Sequence, residues 1–573
     1  MHRPSARITL VAACLSLLCA CMRQSEDAPQ ASAPPAAPTQ PVRVVPTAES
    51  RYTPAITAED FAARVAKLAS DEFEGRKPGT LGERLTTAWI KDQFQRAGLA
   101  PGNGSQWAQT VPMVETVLLD PSEVALVVDT PAGQERFAYG TDLVVGALDA
   151  GSSVAIEGSE IVFAGYGIDA PELGWNDYAG LDVKGKTVVV LINDPGWGNQ
   201  DPTLFKGRAL TYYGRWTYKF EEAARKGAAA CLIVHEDAGA GYPWNVVING
   251  WAGPQYSLPP AEDPAPRLSA AGWLTGDAAV RLFAKSGQDF AALKRSADLR
   301  GFAPTALDAR ASLAFRSRIS HSASENVLGL VRGSTRPDEV VVYSAHWDHL
   351  GKDESLAGDA IYNGAIDNGT GVAALIEIAE AFAKQEPPPQ RSFLFIADTL
   401  EESGLLGARY YVTHPVFPLA KTVANINMDT MPIMGPSRDV AVITWGQSEL
   451  DGYIERIAQA QGRTVVPDDA PEKGFFFRSD QLHFARMGVP VLYFRSGLNL
   501  VDGGEAAGRA AYADYTANRY HKVGDAYDPD WDFRGVMLDV EAFHAVGREL
   551  ADETTFPAWN ADADFRRPGS TAP

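Results

Sequence analysis

From about residue 326 to residue 553, apolar runs of four to eight residues alternate with longer stretches whose apolar positions recur every three or four. The first pattern is the signature of strands and the second of amphipathic helices. It predicts strands over 339–343, 391–397, 422–428, 440–443 and 489–494. Helices are predicted over 370–384, carried by Val372, Leu375, Ile376 and Ile378, over 449–461 and 538–553, with another opening at 405–411. Strand–helix alternation of this kind argues an α/β fold around a mostly parallel sheet. Sites in such sheets form beyond the carboxyl ends of the strands.

The earlier chain has a different texture. Thr57 stands as a helix cap with Asp60 three residues on, and a helical stripe over 81–97 includes Leu85, Trp89, Ile90 and Phe94 before Gly98 stops it. Between 118 and 313 the runs are short and β-like, at 124–128, 160–163, 186–192 and 230–234, with one helix expected at 218–226. This divides the chain into a discontinuous domain over 54–117 and 314–560, an inserted β-rich domain over 118–313, and a tail over 561–573.

At 573 residues the chain exceeds one ordinary core. Its net charge of −21 leaves no basic excess for nucleic acid or anionic lipid. Residues 1–21 read as an export signal: Arg3 and Arg7 precede an apolar core from Ile8 to Ala20 that is too short to span a bilayer. The end of that run, Leu18-Cys19-Ala20-Cys21, resembles a bacterial lipoprotein cleavage box. It implies a lipid on Cys21, followed over 22–53 by a tether rich in Ser, Ala, Pro and Gln. The expected location is a bacterial cell envelope, facing the periplasm or at the outer membrane. Cys231, in an apolar run, reads as a buried unpaired thiol.

Candidate chemistry gathers where the predicted strands end. His346 and Asp348 follow the first, Asp398, Glu401 and Glu402 the second, and Asp429 the third. Asp367 lies on a Gly-rich turn and Tyr520-His521 in a late polar loop. Imidazole nitrogen and carboxylate oxygen are zinc donors. Two ions a few ångströms apart require a shared carboxylate, and a free carboxylate beside them can take a proton from water. Taken singly, each acid is more simply a helix cap. His349, His235, His321, His414, His483 and His544 read as surface or structural groups, and His346 is preferred over His349 for the acid two residues on.

In this order His346-Trp-Asp348, Asp367-Asn368, Glu401-Glu402, Asp429 and His521 resemble the co-catalytic di-zinc aminopeptidases of family M28. So do Asp71-Glu-Phe-Glu-Gly-Arg-Lys-Pro-Gly-Thr80 and Ser324-Glu-Asn-Val-Leu328. The resemblance implies a zinc-peptidase α/β sandwich with an inserted protease-associated (PA) domain, two Zn2+ per chain and peptide substrates. One zinc would bind His346, Asp367 and Asp429; the other would bind Asp367, Glu402 and His521. Glu401 would be general base, Asp348 would orient His346, and Tyr520 would steady the oxyanion. The bond after Asp367 is cis in such proteins. Relatives often carry His where Gln481 follows Ser479-Asp480, which bears on the pocket lining. The implied activity is removal of N-terminal residues. The alternatives are a carboxypeptidase or dipeptidase, with Arg478 or Arg495 reaching a substrate carboxylate; a glutaminyl cyclase; or a non-catalytic binding protein on a peptidase scaffold.

Overall fold

The computed structural model describes residues 55–149 and 151–567. The expected signal, Cys21 and tether lie outside the described residues. Among the described residues no helix is long and apolar enough to cross a membrane.

Helix α1 (Ala58–Leu68) begins where Thr57 accepts a hydrogen bond from the Asp60 amide at 3.1 Å. Helix α2 (Leu81–Ala97) ends at Gly98, whose φ of 94° lets the chain turn away where a side chain would be strained. The following strands are β1 (Ala108–Leu118), β2 (Thr305–Val331) and β3 (Arg336–His346). Then come α3 (Gly371–Ala383), β4 (Arg391–Asp398), α4 (Leu406–Thr413) and β5 (Thr422–Asn427). The chain closes through β6 (Asp439–Val442), α5 (Leu450–Ala460), β7 (Thr464–Pro467), β8 (Val491–Ser496) and α6 (Arg534–Asp552).

These strands form a sheet in the order β1-β2-β4-β3-β5-β8-β6-β7. Its centre, β4-β3-β5-β8, is parallel, as the alternation predicts, and the antiparallel pairs flank it. The central strands are buried on both faces, so they read as unbroken apolar runs. On β3, Val341, Tyr343 and Ala345 face the layer built by α1, α2, α3, α5 and α6. Val340 and Val342 face α4 and the segment around Phe484. Inside the first layer a buried Arg64 is paired with both Glu377 and Glu380, so its charge is compensated without water.

Residues 124–315 build cores of their own, with Val188 and Val190 facing one layer and Val189 and Leu191 the other. The strand Ala230–His235 lies parallel between Thr187–Leu191 and Ala270–Thr275. This region holds more helix than the sequence pattern predicts. Besides Trp216–Arg225 it contains Trp244–Ala252, Gly276–Lys285 and Phe290–Ala297. Trp244–Ala252 is rich in β-branched and aromatic residues, whose local preference is for strand; tertiary context overrides it. Gly276–Lys285 is marked by the Thr275 cap, accepting from Ala278 at 3.1 Å, and by an inward Ala278, Ala279, Leu282, Phe283 stripe. Cys231 is fully buried, and burial pushes its thiol up.

The two regions share one strand. The first half of the 27-residue β2 pairs with Ala125–Thr130 and Ser153–Phe163, and the second half with β1 and β4. The boundary expected at 313 and 314 therefore falls within a continuous ladder.

Candidate metal centre

Register gathers the strand ends. His346 sits opposite Asp398 in the β3–β4 pair, and Ser344 opposite Asn427 in the β3–β5 pair. The residues just beyond, Glu401 and Glu402 after β4 and Asp429 after β5, therefore arrive at one edge of the sheet beside His346. The loop from β3 returns through a kinked turn, Ala365–Thr370, that presents Asp367 to the same place. His521 follows the helix Gly504–Asn518 and closes the ring. Among described non-glycine residues with positive φ, Arg76, Leu400, Leu405, Thr430 and His521 lie in or next to this edge. Such backbone costs of order 1–3 kcal/mol per residue, and it persists only where the surroundings enforce it.

The donor atoms form two groups joined at Asp367. His346 Nε2 lies 3.3 Å from Asp367 Oδ1 and 3.3 Å from Asp429 Oδ1. His521 Nε2 lies 3.2 Å from Asp367 Oδ2 and 3.2 Å from Glu402 Oε2. Asp367 thus offers one oxygen to each group. Two donors held about 2.0–2.1 Å from a tetrahedral ion stand about 3.3 Å apart. A charge-assisted N–H···O hydrogen bond is shorter, at about 2.7–2.9 Å. All four separations match the first spacing, so these residues fit a pair of tetrahedral cations.

His349 follows the second spacing. It is 1% exposed, not a surface group, and its Nδ1 lies 2.7 Å from Glu402 Oε1. His349, Asp367 and Glu402 do converge closely enough to hold an ion, as His346, Asp367 and Asp429 do. The spacings separate the roles: Glu402 gives Oε1 to a hydrogen bond with His349 and faces His521 with Oε2. Sequence reasoning passed over His349 because no acid stands two residues on; its partner is supplied by another strand end.

Asp348 is placed differently from the expectation that its carboxylate orients His346. His346 Nδ1 faces the Asp348 backbone carbonyl at 3.1 Å, while the carboxylate Oδ1 is 3.9 Å away. That Oδ1 instead accepts from the Glu401 amide at 3.1 Å and so fixes the turn that carries Glu401. Glu401 Oε2 stands 3.9 Å from His346 Nε2, outside the donor spacing. Tyr520 stacks on His521, with ring centroids 4.0 Å apart.

Burial dominates the electrostatics. It raises Glu401 well above the carboxylate range and Asp348 to about 7, the latter opposed by His346. Burial also raises Asp480 to about 8. On Asp367 burial acts in the same direction, but the neighbouring imidazoles of His346 and His521 hold it well below the usual value. A cluster this rich in buried acid is a site for cations.

Three further residues hold Asp367 in place. The Asp525 carboxylate accepts from the amides of Ile366 at 3.1 Å and Asp367 at 3.0 Å. Asn368, across a cis bond from Asp367, donates to Met428 O at 3.0 Å and accepts from Thr430 N at 3.2 Å, tying the Asp367 turn to the Asp429 strand end. The guanidinium of Arg76 donates to the carbonyls of Leu68, Trp347, Asn363 and Gly364. Gly364 is packed so closely that a Cβ would stand 2.6 Å from Arg76 Nη2 and 2.6 Å from His349 Cδ2. The order of candidate ligands carries no signal for Arg76 or Asp525, because their partners are backbone atoms.

At the edge of this parallel-sheet α/β fold, a carboxylate shared between two imidazole–carboxylate groups makes a candidate metal-binding site. Residues 326–542 match Peptidase family M28, and every candidate donor lies within that span. Over 118 residues the chain is 32% identical to the Mus musculus aminopeptidase NAALADL1, covering 20% of this chain and 14% of that protein. Over 123 residues it is 32% identical to the Caenorhabditis elegans glutamate carboxypeptidase 2 homolog, covering 21% and 14%. The chain thus spans a small part of these curated relatives. Among solved structures, the aminopeptidase from Aneurinibacillus sp. strain AM-1 superposes with a TM-score of 0.48 at 16% identity, covering 89% of this chain and 98% of that one. A zinc aminopeptidase from Bacillus subtilis gives a TM-score of 0.43 at 17% identity, with 88% and 98% covered.

Proposed function

We propose that this chain is a zinc-dependent exopeptidase, an aminopeptidase that removes N-terminal residues from peptides. The observation that carries the reading is the set of four donor separations, two of which run to the two oxygens of Asp367. His346, Asp367 and Asp429 would hold one zinc, and Asp367, Glu402 and His521 the other. Bound there, zinc would supply Lewis acidity toward a water and toward the scissile carbonyl.

The chain's own groups do the rest. Glu401, outside the donor spacing and fixed through its amide by Asp348, takes the proton of the attacking water at a carboxylate oxygen and returns it to the leaving amine. His349 holds Glu402 so that one oxygen stays turned toward His521. Tyr520, stacked on His521, offers its hydroxyl to the developing oxyanion. The insert is read as PA-like, and a lipid on Cys21 would keep the enzyme at the cell envelope. Cys21→Ser should move the protein from the membrane to the soluble fraction, and retention at the membrane would remove the anchor from this account.

Asp367→Ala tests the centre directly. Elemental analysis of the purified variant should give less than one zinc per chain where the parent gives two, and cleavage of N-terminally free peptides should stop. Two retained zinc ions in Asp367→Ala would exclude Asp367 as the bridge.

A further inference from the structure

The turn that carries Glu401 and Glu402 is held from several sides, and one of them is the insert. At its base Gly407 N donates to Thr399 O at 2.9 Å, and Leu406 N to Leu400 O at 3.0 Å. Leu400 and Leu405 take positive φ, 57° and 61°, a conformation that a leucine keeps only where its surroundings enforce it. From the sheet, Asn326 on β2 accepts from Thr399 N at 3.0 Å and donates to Gly407 O at 3.0 Å. From the end of β3, Asp348 accepts from the Glu401 amide.

The remaining support is apolar. Leu400 and Leu406 pack with Val111 and Met113 of β1 and with Leu258 of the insert in a small core separate from those described above, with Tyr256 and Tyr410 against it. Leu258 is 2% exposed and belongs to neither of the insert's own cores. It sits on an arm that crosses to the sheet: Gln255–Ser257 pairs antiparallel with residues 114–116 of β1. The arm is pinned beyond Leu258. Arg267 donates to Leu258 O at 2.8 Å and to the Asp263 carboxylate at 3.1 Å, and that carboxylate also accepts from Arg409 of α4 at 2.8 Å.

A core this small has little else with which to fill a gap. Truncating Leu258 would leave a void against Leu400, the residue before Glu401, and free the strained turn to relax into it. A displacement of about 1 Å at a reacting group costs about 10²-fold in rate.

We propose that Leu258 is a positioning residue for Glu401: through this side chain the insert keeps the turn over 399–407 in its strained form and the Glu401 carboxylate where it moves the proton. This rests on the reading of Glu401 as the proton-transferring group.

The test compares Leu258→Ala with Leu258→Met, which keeps most of the volume, and with Leu282→Ala, the same truncation in one of the insert's own cores. Two quantities are measured on zinc-loaded protein: steady-state cleavage of an N-terminally free peptide, and amide hydrogen exchange across 399–407. Leu258→Ala should lower kcat at least roughly tenfold with KM within about twofold of the parent's. It should also speed exchange at Leu406 and Gly407 at least roughly tenfold. Leu258→Met should recover most of both, and Leu282→Ala should move neither by more than about twofold. Parental kcat in Leu258→Ala overturns the proposal, as does an equal loss in Leu282→Ala, which would make the effect a general loosening of the insert. Leu258→Val, a smaller deletion, should lie between Ala and Met. It carries the comparison if the alanine protein does not fold, and parental kcat and exchange in it also overturn the proposal. A parent that hydrolyses no peptide would overturn the exopeptidase reading instead. Exchange would then still report whether Leu258 holds the turn, and unchanged exchange in Leu258→Ala would overturn that.

Discussion

Glu401→Gln should lower kcat for an N-terminally free peptide by about 10²–10⁴-fold, with KM and zinc content close to the parent's. The size follows from the one function the amide loses, which is to take and return a proton. The selectivity follows from geometry. Glu401 Oε2 is 3.9 Å from His346 Nε2, whereas the candidate donors sit at 3.2–3.3 Å. The isosteric amide leaves those donors untouched, and the Asp348 bond to the backbone at 401 is independent of the side chain. Steady-state kinetics beside a zinc assay on the same preparation checks both halves. Retained activity would remove Glu401 from proton transfer, and loss of zinc would make it a donor.

Arg76→Met should destabilise the protein by about 3–5 kcal/mol, the range for removing one partner from a buried charged network. Arg76 is 1% exposed and meets four carbonyls from three stretches of chain: the end of α1, the residue after His346, and the turn that leads to Asp367. Methionine fills much of the volume but satisfies none of those acceptors. It also removes a buried cation whose charge a group of acids favours: burial lowers Arg76 to about 10, while Asp525, Asp367, Asp348 and Glu402 oppose that shift. Arg76→Lys should recover only part of the loss, since one ammonium cannot span four carbonyls held by a planar fork. Urea unfolding of both variants, zinc-loaded and chelated, measures this. A loss under 1 kcal/mol in Arg76→Met would show that the carbonyls find other donors.

The parallel core was legible because each central strand buries both faces and ends where polar residues begin. The start of α1 and the end of α2 were legible because Thr57 and Gly98 act locally. The convergence of His346, Asp367, Glu401, Glu402, Asp429 and His521 was legible as an order along the chain. The spacings that tell a donor from a hydrogen-bond partner were not. His349 and His346 are nearly alike in local context, and only the fold puts one 2.7 Å from Glu402 and the other at the longer spacing from two carboxylates. Arg76 and Asp525 act on main-chain atoms far away in sequence, which no periodicity encodes. In the insert, the strand-like composition of Trp244–Ala252 hid one helix, and the helices Gly276–Lys285 and Phe290–Ala297 were passed over although Thr275 and Asp289 cap them locally.

The long strand β2 has one more bearing. At residues 320–323 it is exposed, and there it is paired with β1 across Pro112–Glu115. The insert and the rest of the chain are therefore joined by a laddered β-strut. Bending the strut would break ladder bonds one after another. An inserted residue in either strand of it would turn the side chains beyond it to the opposite face and shift the register in which the insert is carried.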